Sequence, residues 1–129
     1  MIAVGHFTID SRVETPLDQH DGTLLRSVVI AKHFWGDIDG SSSVQMLGYK
    51  TAVAGSESYV AFERMSVSVG GRQGEFVLRH SAMRSTSVSE GGLKVVVDSG
   101  TGELRGISGE GSIEFHPDRT ATFTFDYEL

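Results

Sequence analysis

The chain has 129 residues, 39% hydrophobic and 22% charged, with 16 glycines, 2 prolines and a formal net charge of -6. That length fits one domain, residues 1–129, and the composition is too apolar for disorder and too punctuated for a coiled coil. The acidic balance argues against nucleic acid or an anionic membrane as partner, and the absence of Cys removes disulfides, thiolate metal sites and thiol nucleophiles.

Residues 1–7 show no basic segment leading into an apolar core, and no run approaches the roughly 18 apolar residues of a membrane span, so a cytoplasmic location is expected. Clusters of Gly, Ser, Asp and Pro punctuate runs rich in Val, Ile, Phe, Tyr and Thr, the pattern of an all-β protein. Residues 3–13 alternate around Phe7 and Ile9. The strand is expected to break at Glu14-Thr15-Pro16, because proline offers a ladder no N–H, leaving Leu17 outside. Residues 23–34 are apolar at Leu24, Leu25, Val28, Val29 and Ile30, which predicts a strand covered on both faces.

After the turn at residues 36–40 comes a strand over 41–49, and then a hairpin of 57–69 and 75–83 joined by a five-residue turn, Gly70-Gly71-Arg72-Gln73-Gly74. A polar segment over 84–92 leads to residues 93–98, followed by strands over 109–116 and 121–129. In the last of these Phe123, Phe125 and Tyr127 alternate with Thr122, Thr124 and Asp126. Eight strands in up-and-down order predict a small antiparallel β-barrel, either filled by side chains or holding one small ligand. A two-sheet sandwich is the alternative, disfavoured by the lack of Greek-key-length connections.

Several motifs resolve into turns. Gly100, Gly102, Gly106, Gly109 and Gly111 lack the spacing and following helix of a nucleotide loop, and Gly106-Ile107-Ser108-Gly109 is one residue short of a nucleophile elbow. Asp37-Ile38-Asp39-Gly40 opens like a calcium loop, but its twelfth position is Gly48. His116-Pro117-Asp118 lies between strands, where a proline turn explains it. His6, His20, His33, His80 and His116 show no paired spacing, so no metal is expected.

The hairpin carries the most informative constellation. A five-residue turn sets Arg64 opposite His80, Ser66 opposite Leu78 and Phe62 opposite Ala82. Glu63, Met65, Val67 and Val77 then take the other face, where Arg79 could pair with Glu63. Both faces mix apolar and ionisable residues, so the pattern does not choose the inward one. Arg64, His80 and Glu63 are the candidate catalytic residues: Arg64 to orient an anionic oxygen, His80 to move a proton, Glu63 to supply charge. Gln45, Tyr49, Phe62, Phe76 and Leu78 are the candidate ligand contacts.

Tyr59-Val60-Ala61-Phe62-Glu63-Arg64, the run from Gly70 to His80, Ser99-Gly100-Thr101-Gly102-Glu103-Leu104 and the ending Phe125-Asp126-Tyr127-Glu128-Leu129 together resemble a bacterial family of unknown function, domain of unknown function 3224. Asp21-Gly22 and Phe34-Trp35-Gly36-Asp37 fit its earlier part, so the likeness spans nearly the whole chain. Members look like allene oxide cyclase-type barrels, so the resemblance implies a small eight-stranded barrel and assigns no catalytic residue. The chain departs from the family pattern at Arg79, where Gln is common, and at Val97-Asp98, where Pro-Gly is common.

The expectation is therefore a barrel that binds one small, largely apolar organic molecule and acts as a cofactor-independent isomerase or cyclase, holding a flexible substrate in a reactive conformation. The alternative is a non-catalytic carrier or an assembly protein whose apolar outer face drives homo-oligomer formation.

Overall fold

In the computed structural model, which describes residues 1–129, the strands are β1 (Ile2–His20), β2 (Thr23–Gly36), β3 (Ile38–Lys50), β4 (Glu57–Val69), β5 (Arg72–Arg84), β6 (Ser89–Val95), β7 (Ser108–Phe115) and β8 (Thr120–Glu128). Each strand pairs antiparallel with the next, and β8 returns to β1, so the sheet closes into the eight-stranded barrel and not a sandwich. Closure leaves each strand one inward and one outward face.

That geometry corrects the reading of β2. Val28, Ile30, Lys32 and Phe34 point inward and are buried, whereas Val29 and Trp35 lie exposed on the outer wall, since no second layer covers a barrel of this kind. Proline does not end β1 either: the strand runs on to His20 and pairs Pro16 with Arg26. Beyond Thr8, β1 has lost β8 and pairs with β2 alone, and its register shifts between Pro16 and Asp18. An edge and a bulge are the two settings in which a sheet accepts proline. The polar segment before residue 93 also joins the sheet at its end, with Ser89 to Gly92 paired to Arg84 to Ser81.

The interior divides into two halves. At one end Phe7, Phe34, Phe76, Phe123, Phe125 and Tyr127 pack together, with Phe76 and Phe123 stacked on Phe125 at 5.6 and 5.3 Å between ring centres. Aromatic pairs at such separations contribute beyond the area they bury. A strap formed by residues 96–107 seals this end beside the first half of β5, where no strand runs. Thr101 N donates to Glu75 O at 2.8 Å, Val77 N to Ser99 Oγ at 3.0 Å, and Leu104 and Ile107 plug the interior. A Cβ at Gly74 would stand 2.0 Å from Thr101 O, and one at Gly100 2.1 Å from Leu104 O. The glycines of the Ser-Gly-Thr-Gly block thus serve close backbone approach.

The other half holds a smaller cluster, Val28, Ile30, Val44 and Ala61. Its wall is least complete between β6 and β7, which share one paired position, Lys94 with Glu110. No helix is long and apolar enough to cross a membrane.

Candidate functional site

The site depends on the register of the β4–β5 hairpin. Gly70 and Gly71 both have positive φ, +57° and +85°, and make the whole turn, as two-residue hairpin loops favour. Arg72, Gln73 and Gly74 therefore belong to β5, and pairing slips by three from the expected alignment: Arg64 faces Val77, Glu63 faces Leu78 and Ala61 faces His80. An odd slip exchanges faces. Glu63 and His80 come together inside, and Arg64 moves to the outside.

Inward alternation on β2, β3, β4 and β5 then converges on one carboxylate. Glu63 is only 1% exposed. Its Oε1 meets His80 Nε2 at 2.7 Å, its Oε2 accepts from Ser42 Oγ at 2.5 Å, and Lys32 Nζ lies 3.2 Å from Oε2 and 3.3 Å from Oε1. Lys32 Nζ also stands 4.3 Å from the centre of the Phe7 ring, a cation–π contact. Burial alone pushes the Glu63 carboxyl up. The hydrogen bond from His80, the charge of Lys32 and the hydroxyl of Ser42 together outweigh it and hold the pKa at about 2, against an ordinary 4.5. Glu63 is therefore an anion at neutral pH.

An ionised carboxylate only accepts hydrogen bonds, so in the neutral form of the His80 ring the proton sits on Nε2 and Nδ1 keeps its lone pair. Nδ1 makes no hydrogen bond within the chain, and no sealed side-chain polar atom lacks a partner, so this nitrogen is open to the space above it. That space is a cavity of about 350 Å³, walled by Ile30, Val44, Met46, Tyr59, Leu93 and Ile113, with Lys32 and His80 on its floor. Its volume lies in the range of small-molecule sites. Below the floor, Phe7, Phe34, Leu78 and Phe123 leave no room for water. Burial of the Tyr59 phenol, set against the nearby Arg84 charge, raises its pKa and keeps it neutral. On the stretch of β1 that runs past β8, Glu14 pairs with Arg12 and, at 3.7 Å, with Arg26.

Of the three expected catalytic residues, the structure unites Glu63 and His80 and removes Arg64, which is 65% exposed and lies 3.9 Å from Glu75. Arg79 also points outward, opposite Phe62, so the expected Arg79–Glu63 pair does not form. Among the expected ligand contacts, Gln45, Tyr49 and Phe62 lie exposed on the outer wall, Phe62 at 55%. Phe76 and Leu78 are inward but buried in the filled half, outside the cavity lining.

Lys32, Ser42 and Tyr59 were missed. One signal was available for Lys32: it continues the inward phase of Val28, Ile30 and Phe34, where a cation needs a buried partner. No three His, Asp or Glu side chains converge, so Glu63 and His80 have no third donor for a metal ion.

The family model described as "Protein of unknown function (DUF3224)" matches residues 3–127. The chain belongs to the DUF3224 family. A crystal structure of a protein with unknown function from this family, from Shewanella oneidensis MR-1, is 31% identical. The alignment covers 100% of this chain and 96% of that one, with a TM-score of 0.85. No curated protein matches the sequence.

Proposed function

We propose that this DUF3224 barrel binds one small, largely apolar organic molecule in its open half and acts on it without a cofactor, as an isomerase or cyclase. The observation that carries this reading is the union of an apolar cavity with a buried charged floor. A barrel selected only for stability would extend its aromatic packing across the Glu63 layer, because a buried ion pair rarely outperforms apolar residues of similar volume. Instead the Lys32–Glu63 ion pair, with His80 hydrogen-bonded to it, lies at the bottom of a space of about 350 Å³. Enclosure would restrict a flexible substrate to a reactive conformation, while the floor supplies one base and one cation.

Native mass spectrometry of the protein purified from its host tests the reading. A co-purified small molecule lost on Ala82→Phe, which fills the cavity from the wall of β5, is the expected result. An empty barrel, together with unchanged amide spectra when apolar probes are titrated in, would overturn it.

A specific observation also favours assembly as a second reading. Leu47, Val60 and Phe62 are exposed side by side on the outer faces of β3 and β4, a surface suited to homo-oligomer contact. Sedimentation of wild type against Phe62→Ser decides it, with one monomeric species in both as the contrary result.

A further inference from the structure

We infer that the substrate class of this site is a carbonyl compound with an acidic C–H beside the carbonyl, and that His80 Nδ1 transfers that proton while Lys32 receives the developing oxyanion. The inference rests on the proposed binding reading and specifies its chemistry.

Three features of the floor point this way. Glu63 holds Nε2 of His80, which fixes the ring and directs the lone pair of Nδ1 to the cavity. Lys32 Nζ and His80 Nε2 contact the same Glu63 oxygen, so one carboxylate holds the cation and the imidazole side by side. Both residues line the cavity, so a carbonyl compound there can meet Lys32 with its oxygen and His80 with its neighbouring carbon. The walls are mainly apolar, with Ser81, Ser112 and the Tyr59 phenol as polar exceptions, so an enolate formed there meets Lys32 as its main stabilising charge.

The step balances within the substrate and the protein. The C–H bond breaks as its proton passes to Nδ1. Its electron pair becomes a π bond between that carbon and the carbonyl carbon, and the carbonyl π pair moves to oxygen beside Lys32. In a substrate with a β,γ double bond, that π pair takes the proton back from Nδ1 at the far carbon, the enolate π pair moves to the α,β bond, the oxyanion pair re-forms the carbonyl, and His80 is neutral again. Neither oxidant nor reductant takes part.

The test uses the intact chain with two probes, a six-membered cyclic and an open-chain β,γ-unsaturated ketone. Binding is followed through the amide signals of Val44 and Ile113, deuterium uptake beside the carbonyl by NMR, and conjugation by ultraviolet absorbance. Wild type is expected to take up deuterium and form the conjugated ketone. His80→Gln, which keeps a donor for Glu63 but has no base, is expected to bind the probes and lose about 100-fold or more in rate. Lys32→Met is expected to lose a comparable factor. Added imidazole should restore part of the rate to His80→Ala, which a purely structural role for His80 would not allow. Probes that bind but exchange equally in wild type and His80→Gln would overturn the enolisation chemistry and leave the binding reading intact. Absence of binding by either probe would overturn both.

Discussion

The two halves of the barrel share strands, register and closure, yet one is solid and the other hollow. In the filled half the inward positions of β8 are Phe123, Phe125 and Tyr127, and the strap adds Leu104 and Ile107. In the open half small residues, Ala61, Ala82, Gly91 and Gly111, stand among the aliphatic inward positions. An eight-stranded barrel has an interior of one width along its length, so residue size on the inward face decides whether it is packed or vacant. Here the same sheet does both, with a layer of charge at the boundary.

The largest contrast is expected from truncation. Phe123→Ala in the filled half should cost about 3–5 kcal/mol in urea unfolding, because its neighbours cannot collapse into the gap. Phe115→Ala at the cavity edge, already 67% exposed, should shift the midpoint little. Equal effects would erase the distinction between the halves.

The boundary layer comes next. Glu63→Gln removes the one anion facing buried Lys32 and should cost about 3–5 kcal/mol at neutral pH. Because the folded-state pKa is lowered to about 2 from 4.5, wild type keeps this stabilisation above pH 4.5 and loses it as pH falls through about 2. The stability gap between wild type and variant should therefore close across that window; a gap constant from neutral pH down to pH 2 would remove Glu63's charge from the account.

Enlargement gives a smaller contrast of opposite sense. Ala121→Phe, in packed surroundings, should lose about 1–3 kcal/mol, whereas Ala82→Phe enters vacant space and should be near neutral. Matching losses in thermal unfolding would mean the open half is tighter than its geometry indicates. The smallest effect belongs to the outer wall: Arg64→Ala should alter stability by less than about 0.5 kcal/mol and leave ketone binding unchanged.

Strand number, order and closure were legible because turn residues fall at regular intervals and the strands connect in sequence. The site was legible in part. Glu63 and His80 stood out as ionisable residues in apolar runs, but their union depended on turn length, which Gly70-Gly71 and Gly70 to Gly74 fit equally well as sequence. Three residues of register separate the two alignments, enough to send Phe62 and Arg64 outside. Phe76 and Leu78 do point inward, but alternation alone leaves the inward face open and says nothing of the depth along the barrel. Lys32 escaped because Val29 and Trp35 make β2 apolar on both sides, hiding the phase that shows a cation pointing inward.

The sparse join between β6 and β7 bears on how contents reach the hollow. Gly91, Gly92, Gly111 and Ser112 border the cavity on its inner side and a groove lined by Thr124 and Asp126 on its outer side. With one rung between these strands, the wall there is framed by bare backbone and is the one a bound molecule would cross most easily. Admission through that flank would screen visitors by girth before any of them met the charged floor.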